Sequence, residues 1–206
     1  MTDVIQHLFT VIGVILALLV VLALAVIVIY NTLVKYNNQL QNAFAQIDIQ
    51  LHRRHDLIPN LVEVCRSYLK HEHETLVKVT EARNQAVGAL NKLKQEGSSS
   101  QLISQLSKSE NLLSQSLAGL QLVIEDYPEL KANETIASLN EELISTESRI
   151  AFARQAYNDE VMQFNTYRQS FPQTVIAARV GFKNDAPLLQ LDQTAVERQA
   201  PKVSLR

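Results

Sequence analysis

From Leu8 to Ile29 the chain runs 22 residues without a charge, and 17 of them are Leu, Ile, Val or Phe. As a helix rising 1.5 Å per residue, this stretch is about 33 Å long, matching a bilayer hydrocarbon core of about 30 Å. Each central Leu, Ile, Phe or Val favours insertion by roughly 0.3–0.6 kcal/mol, of order 5–10 kcal/mol in sum. A cleaved signal peptide would need a basic flank, a shorter apolar run and a small-residue cleavage site. Here Asp3 is the only charge ahead of the run, and hydrophobicity continues straight through Ala23-Leu24-Ala25. Residues 1–30 are therefore expected to form a single-pass transmembrane anchor spanning Leu8 to Ile29.

All 19 Lys and Arg lie beyond residue 30, against 20 acids there (21 less Asp3), so the remainder is close to neutral. No strongly basic surface is implied, and nucleic acid is not an expected partner. Lys35, Arg53 and Arg54 come after the span while no Lys or Arg precedes it, which favours a cytoplasmic C-terminal domain. Cys65 is the lone cysteine, so no intramolecular disulfide can form.

Helical periodicity dominates the rest. Ile136, Leu139, Leu143, Thr146, Ile150, Ala153 and Tyr157 step by three and four, and Val161, Phe164 and Phe171 extend that face. Leu102, Leu106, Leu113, Leu117, Leu120 and Ile124 form a second stripe, and Leu61, Cys65, Tyr68, Val79, Ala86, Leu90 and Leu93 a third. Leu33, Leu40, Phe44, Ile47 and Leu51 form a fourth that runs on from the apolar stretch without an intervening Pro.

Three breaks are expected: at Asp56 to Pro59, where Pro59 kinks or ends a helix; at Gly97, with Ser98 and Gln101 as a capping box; and at Tyr127-Pro128, with Asn133 capping the last long helix. The economical fold is all-α. A transmembrane helix continues into an elongated antiparallel bundle of three or four long helices with coiled-coil-like packing over 31–182. A flexible tail is expected over 183–206, where the periodicity decays.

Nothing in the chain has the spacing of a catalytic or metal motif, and no cofactor is expected. The His71-Glu72-His73-Glu74 doublet sets its histidines about 200° apart on a helix, unlike the i, i+4 pair that shares a zinc ion. Arg53, Arg54 and Asp56 make a dense charged patch beside Pro59. They suit a solvated helix end or an anchor for inter-helix or partner pairing, the structural role being preferred. A small molecule, lipid or metal held between helices is the alternative, lined by His52, His55, His71, His73, Glu63 and Tyr68. Cys65 sits on an apolar stripe and is expected to be a small buried hydrophobe.

Several motifs in order carry a family resemblance. They are Gln46-Ile47-Asp48-Ile49-Gln50-Leu51, the run from Arg53-Arg54-His55-Asp56-Leu57-Ile58-Pro59-Asn60 to Glu63, His71-Glu72, and Glu81-Ala82-Arg83. Tyr127-Pro128-Glu129-Leu130-Lys131-Ala132-Asn133, Glu147-Ser148-Arg149-Ile150-Ala151, Ala153-Arg154, Tyr157-Asn158 and Phe171-Pro172 complete the set. Together they resemble the LemA family of bacterial membrane-anchored helical proteins. The resemblance implies a bacterial inner-membrane protein with one N-terminal span and a bundle of long helices, and it supplies no catalytic residues. The expected function is a non-enzymatic scaffold or adaptor, self-associating at the lipid bilayer as a homo-oligomer. Arg53, Arg54, Asp56, Pro59, Asn60 and Glu63 are the candidate structural or partner-contact residues.

Overall fold

The computed structural model describes residues 2–69 and 72–191, and among them there is no strand. Four long helices, α1 (Thr2–Tyr68), α2 (His73–Glu96), α3 (Ser100–Asp126) and α5 (Glu134–Gln169), are joined by the short α4 (Pro128–Lys131) and succeeded by the short α6 (Gln173–Ala177). The expected all-α bundle is what the chain forms. The described residues divide into two compact units, one of residues up to 41 with 162–185, the other of 42–161 with residues from 186.

In the second unit, the apolar stripe of each helix becomes the core. Ile58, Leu61, Cys65, Leu69, Leu76, Val79, Ala86, Leu113, Leu120, Ile124, Leu130 and Ile136 form one continuous buried cluster. Full burial of a Leu or Ile contributes about 1.5–3 kcal/mol, which explains why narrow stripes on rod-like helices suffice to hold them together. Contacts of α1 with α5 pair Arg54 with Glu147 and Phe44 with Tyr157, so the two helices run antiparallel.

Helix ends obey local chemistry. Gly97 closes α2 at φ 89°, a conformation open to glycine, with its N–H donating to Leu93 O at 3.0 Å. Ser99, not Ser98, caps α3: its Oγ accepts from Leu102 N at 3.3 Å. Asn133 Oδ1 accepts from the N–H groups of Thr135 and Ile136 at 3.0 and 3.1 Å, opening α5 where the sequence places its cap.

Of the two alternatives at Pro59, the helix does not end there. Pro59 lies inside α1, and Asp56 caps nothing. The break falls instead between Tyr68 and His73, beyond a 3 % exposed Leu69. No Gly or Pro marks that place. Tyr68, expected inside, is at the surface, where its hydroxyl accepts from Asn133 Nδ2 at 3.1 Å. Phe171 also leaves the inner face, because α5 stops at Gln169 and gives way to a turn with a cis Phe171-Pro172 bond.

Residues 183–191 pack onto α5, unlike the flexible tail expected from residue 183. Asn158 forms a reciprocal pair with Leu189, Nδ2 to O at 3.1 Å and N–H to Oδ1 at 2.9 Å, and Leu189 is buried. Tyr157 Oη donates to Pro187 O at 2.9 Å. Residues 192–206 of that expected tail lie outside the described residues.

In the first unit, α1 carries two kinds of surface. From Leu8 to Val28 its large apolar side chains, Val26 apart, are half or more exposed on every side. From Ile29 onward one face is covered, with Leu33 fully buried and Leu40 nearly so. Tyr36 meets Tyr167 of α5 at 5.3 Å between ring centroids, and Phe164 meets Phe182 at 5.9 Å. Arg168 ties this layer down by pairing with Asp185 and donating to Lys183 O at 3.1 Å.

Candidate functional site

The charged motif of α1 separates into an inward and an outward half, as a period of 3.6 residues requires. Arg54 and His55 face the core of the second unit and are 1 and 2 % exposed. Arg53, Asp56, Pro59, Asn60 and Glu63 face outward.

The inward half forms a buried ionic cluster. Glu110 of α3, 1 % exposed, receives Arg54 Nη2 on Oε2 and lies 2.9 Å from His55 Nε2 through Oε1. Arg54 Nη1 donates to Glu147 Oε2 of α5 at 2.6 Å and to Ser114 Oγ at 3.3 Å. One guanidinium thus joins three helices through a planar fork that lysine lacks. Burial alone would push the Glu110 carboxyl up; the His55 hydrogen bond and the Arg54 charge outweigh it and hold the carboxyl below the usual carboxylate range. Burial likewise works against the Arg54 charge, and Glu110 with Glu147 overcomes it, raising the pKa above the ordinary arginine value.

Pro59 imposes a second arrangement on the same turn. Proline has no N–H, so the His55 carbonyl four residues earlier loses its helical donor. Arg83 Nε of α2 donates to that oxygen at 3.0 Å. Arg54, His55, Pro59, Arg83 and Glu147, drawn from three separate motifs, therefore meet around one turn of α1.

The outward half borders an open groove of about 550 Å³ lined in part by Asp48, Ile49, His52, Arg53, Asp56 and Asn60. Ile49 is 56 % exposed there, an apolar side chain framed by charge. Lys94 of α2 closes one edge through Asp48 at 2.9 Å, and Arg53 reaches Glu142 at 3.8 Å. Exposed pairs of this kind are worth at most about 1 kcal/mol, so they shape the surface more than they stabilise it.

Within the alternative ligand set His52 and His55 are neighbours, with ring centroids 6.5 Å apart, but their partners differ. His55 points at Glu110, His52 lies outward beside Asp48, Glu63 is on the outer face, and Tyr68 holds Asn133. His73 opens α2 at the surface, and His71 lies outside the described residues. Among the described residues no three His, Cys, Asp or Glu side chains are grouped to hold a metal ion. Cys65 is buried, and burial pushes its thiol up to about 11.

Glu110 is the functional side chain that sequence analysis missed. The α3 stripe has a seven-residue gap between Leu106 and Leu113, and position 110 is where periodicity demands an inward residue. A charged residue in that gap was the available signal.

Comparison with known proteins places these features in a family. The LemA family model matches residues 43–205. The magnetosome proteins MamQ 1 and MamQ 2 of Paramagnetospirillum magneticum are each 25 % identical over 154 residues, covering 68 % of this chain and 57 % of theirs. Magnetosome protein MamQ of Magnetospirillum gryphiswaldense is 23 % identical over the same span, with the same coverage. The chain thus spans little more than half the length of these relatives. The family match takes in the buried Arg54 cluster, the Pro59–Arg83 arrangement and the Asn158–Leu189 clasp, and with that match this chain belongs to the LemA family of membrane-associated helical proteins.

Proposed function

We propose that the protein is a single-pass membrane scaffold or adaptor that self-associates at the bilayer through its helical bundle, without catalysing a reaction. The observation that carries this is the length of α1 from Leu8 to Val28, whose large apolar side chains, all but Val26, are 50 % exposed or more. Water does not tolerate such a surface, and a lipid core of the same thickness does. The buried ionic cluster supports the second half of the reading. Its Arg54 guanidinium joins α1, α3 and α5 through Glu110, Ser114 and Glu147, which suits a structural role. The outer face of α1 from Ile49 to Glu63, with Arg53, Asp56 and Asn60 between them, is the contact surface we assign to a partner or second copy. The match to a family of membrane-associated helical proteins supports the placement at a membrane.

The bundle is assigned to the cytoplasmic side of the inner membrane from the placement of Lys35, Arg53 and Arg54. A reporter active only in the cytoplasm, fused to the C-terminus, should be active; a reporter active only outside would reverse the orientation. In-cell cross-linking should recover oligomers or a defined partner. A chain that is strictly monomeric in detergent and captures nothing in cells would overturn the scaffold reading.

A further inference from the structure

The apolar stretch of α1 and the corner between α5 and α6 belong to the same unit. Val28 is 61 % exposed, while Ile29 falls to 6 % and Leu33 to zero. Antiparallel α5 meets α1 at Tyr36, against Tyr167, and ends two residues later at Gln169. Ile29 lies seven residues before Tyr36, about 10 Å along the helix. Ile29 thus lies beyond the end of α5, at the level of the chain that follows it in the same unit, the Phe171-Pro172 turn and α6 included.

That corner is two-faced. Ala177 is fully buried on its inner side. On its outer side Phe171 is 84 % and Val175 45 % exposed, the former among the most exposed large apolar side chains outside the Leu8–Val28 stretch. No charge occurs from Ser170 to Ala178, while Arg168 and Arg179 flank the segment. Arg168 is engaged with Asp185, whereas Arg179 donates to Val175 O at 3.0 Å and remains at the surface beside the corner, with Lys35 exposed on α1. Tyr30, 44 % exposed, stands at the same level, where the apolar run ends. Aromatic side chains at the end of a span, with cations just beyond them, are the composition of a membrane–water interface.

We propose that the α5–α6 corner is a second membrane contact. Phe171 and Val175 insert into the interfacial layer of the bilayer that α1 crosses, and Arg179 and Lys35 lie at its phosphates. The occupant is lipid because the corner continues the uncovered apolar surface of α1 at the level where that surface ends. Rotation of the bundle about its anchor is thereby restricted, since the unit touches the membrane at two places. This inference rests on the spanning reading of α1 given above.

The chain contains no Trp, so a single introduced one reports alone. Phe171→Trp, Val175→Trp and Leu19→Trp are each reconstituted in phosphatidylcholine–phosphatidylglycerol vesicles whose phosphatidylcholine carries bromine at shallow or deep acyl positions. Phe171→Trp and Val175→Trp should show blue-shifted emission and lose more intensity to shallow than to deep bromine. Leu19→Trp should be quenched most by deep bromine. If Leu19→Trp is quenched while the two corner variants emit as in water, the corner proposal is wrong and the anchor stands. Blue-shifted corner emission insensitive to bromine would mean burial against protein, a second copy included, and also rejects it. If Leu19→Trp escapes quenching, the spanning reading falls and this inference with it.

Discussion

Arg83 Nε donates across 3.0 Å to the main-chain oxygen of His55, the acceptor that Pro59, four residues further on, cannot supply with a hydrogen. A proline inside a helix costs about 3 kcal/mol, partly through that orphaned carbonyl. The arginine recovers part of the loss and, in doing so, joins α2 to α1. The two residues are thermodynamically coupled. Arg83→Ala should destabilise the full chain in micelles by about 1–3 kcal/mol, the cost of a part-buried acceptor left unmade. In a Pro59→Ala background, where the residue 59 N–H can take the His55 oxygen, the same substitution should cost less. Denaturant unfolding monitored by helical circular dichroism gives the four stabilities of the cycle. Equal costs in both backgrounds would show that Arg83 acts elsewhere.

Removing Arg54 strands two carboxylates, one of them fully buried. Breaking such a cluster by deleting one partner costs about 3–5 kcal/mol. Arg54→Ala should fall in that range, and Arg54→Lys should recover only part, because one ammonium cannot serve Glu110, Glu147 and Ser114 in a plane. Arg54→Met with Glu110→Met should be milder than Arg54→Ala, since both buried charges leave together.

Acid should loosen the bundle through Glu110. Its folded pKa is depressed by the His55 hydrogen bond and the Arg54 charge against the opposing effect of burial. The stabilisation is therefore complete above the unfolded carboxylate range and is lost as pH falls through the lower folded value. Glu110→Gln should be less stable at neutral pH and should show a flatter fall of stability on acidification. A parallel pH dependence for both proteins would remove Glu110 from the account.

The legibility of this fold tracks how local each cause is. The long apolar start of α1, the Gly97 stop and the Asn133 cap are decided by adjacent residues, and each is visible in the sequence. The stripes led to the core because Leu33, Ile47, Leu51, Leu113 and Leu120 recur at helical spacing. The ionic cluster was half visible: the α1 stripe skips a layer between Leu51 and Ile58, and the α3 stripe skips one between Leu106 and Leu113. Only the structure shows that the two gaps face one another and are filled by Arg54 and Glu110. Whether Pro59 ends or continues its helix was open in the sequence, because the Arg83 contact that serves the His55 oxygen comes from 24 positions beyond Pro59, which no local rule anticipates. The Asn158–Leu189 clasp was hidden for the same reason, since its partners are 31 residues apart and obey no period.

Cys65 provides a folding probe that needs no new label site. Its thiol is fully covered, and burial pushes it up to about 11, so little thiolate exists near neutral pH. Ellman's reagent should leave native protein unmodified at pH 8 and titrate one thiol on unfolding. The same assay tells whether the Arg54 and Arg83 variants open this layer. Rapid modification of the native chain would mean that the core around Cys65 breathes.

Partner contact and stability should separate on the two halves of the α1 motif. Arg53, Asp56 and Asn60 border the open groove, and substitutions at such exposed positions usually change stability by less than about 0.5 kcal/mol. Joint replacement of all three by Ala should leave unfolding nearly unchanged and abolish the cross-links captured in cells. Ile49→Asp places a charge where an apolar side chain is 56 % exposed, and it should have the same signature. Arg54→Ala should show the opposite order, losing stability first and cross-links only in proportion to the folded fraction. If the triple variant unfolds early, the outer residues belong to the fold. If it stays folded and keeps every cross-link, association uses another face of the bundle.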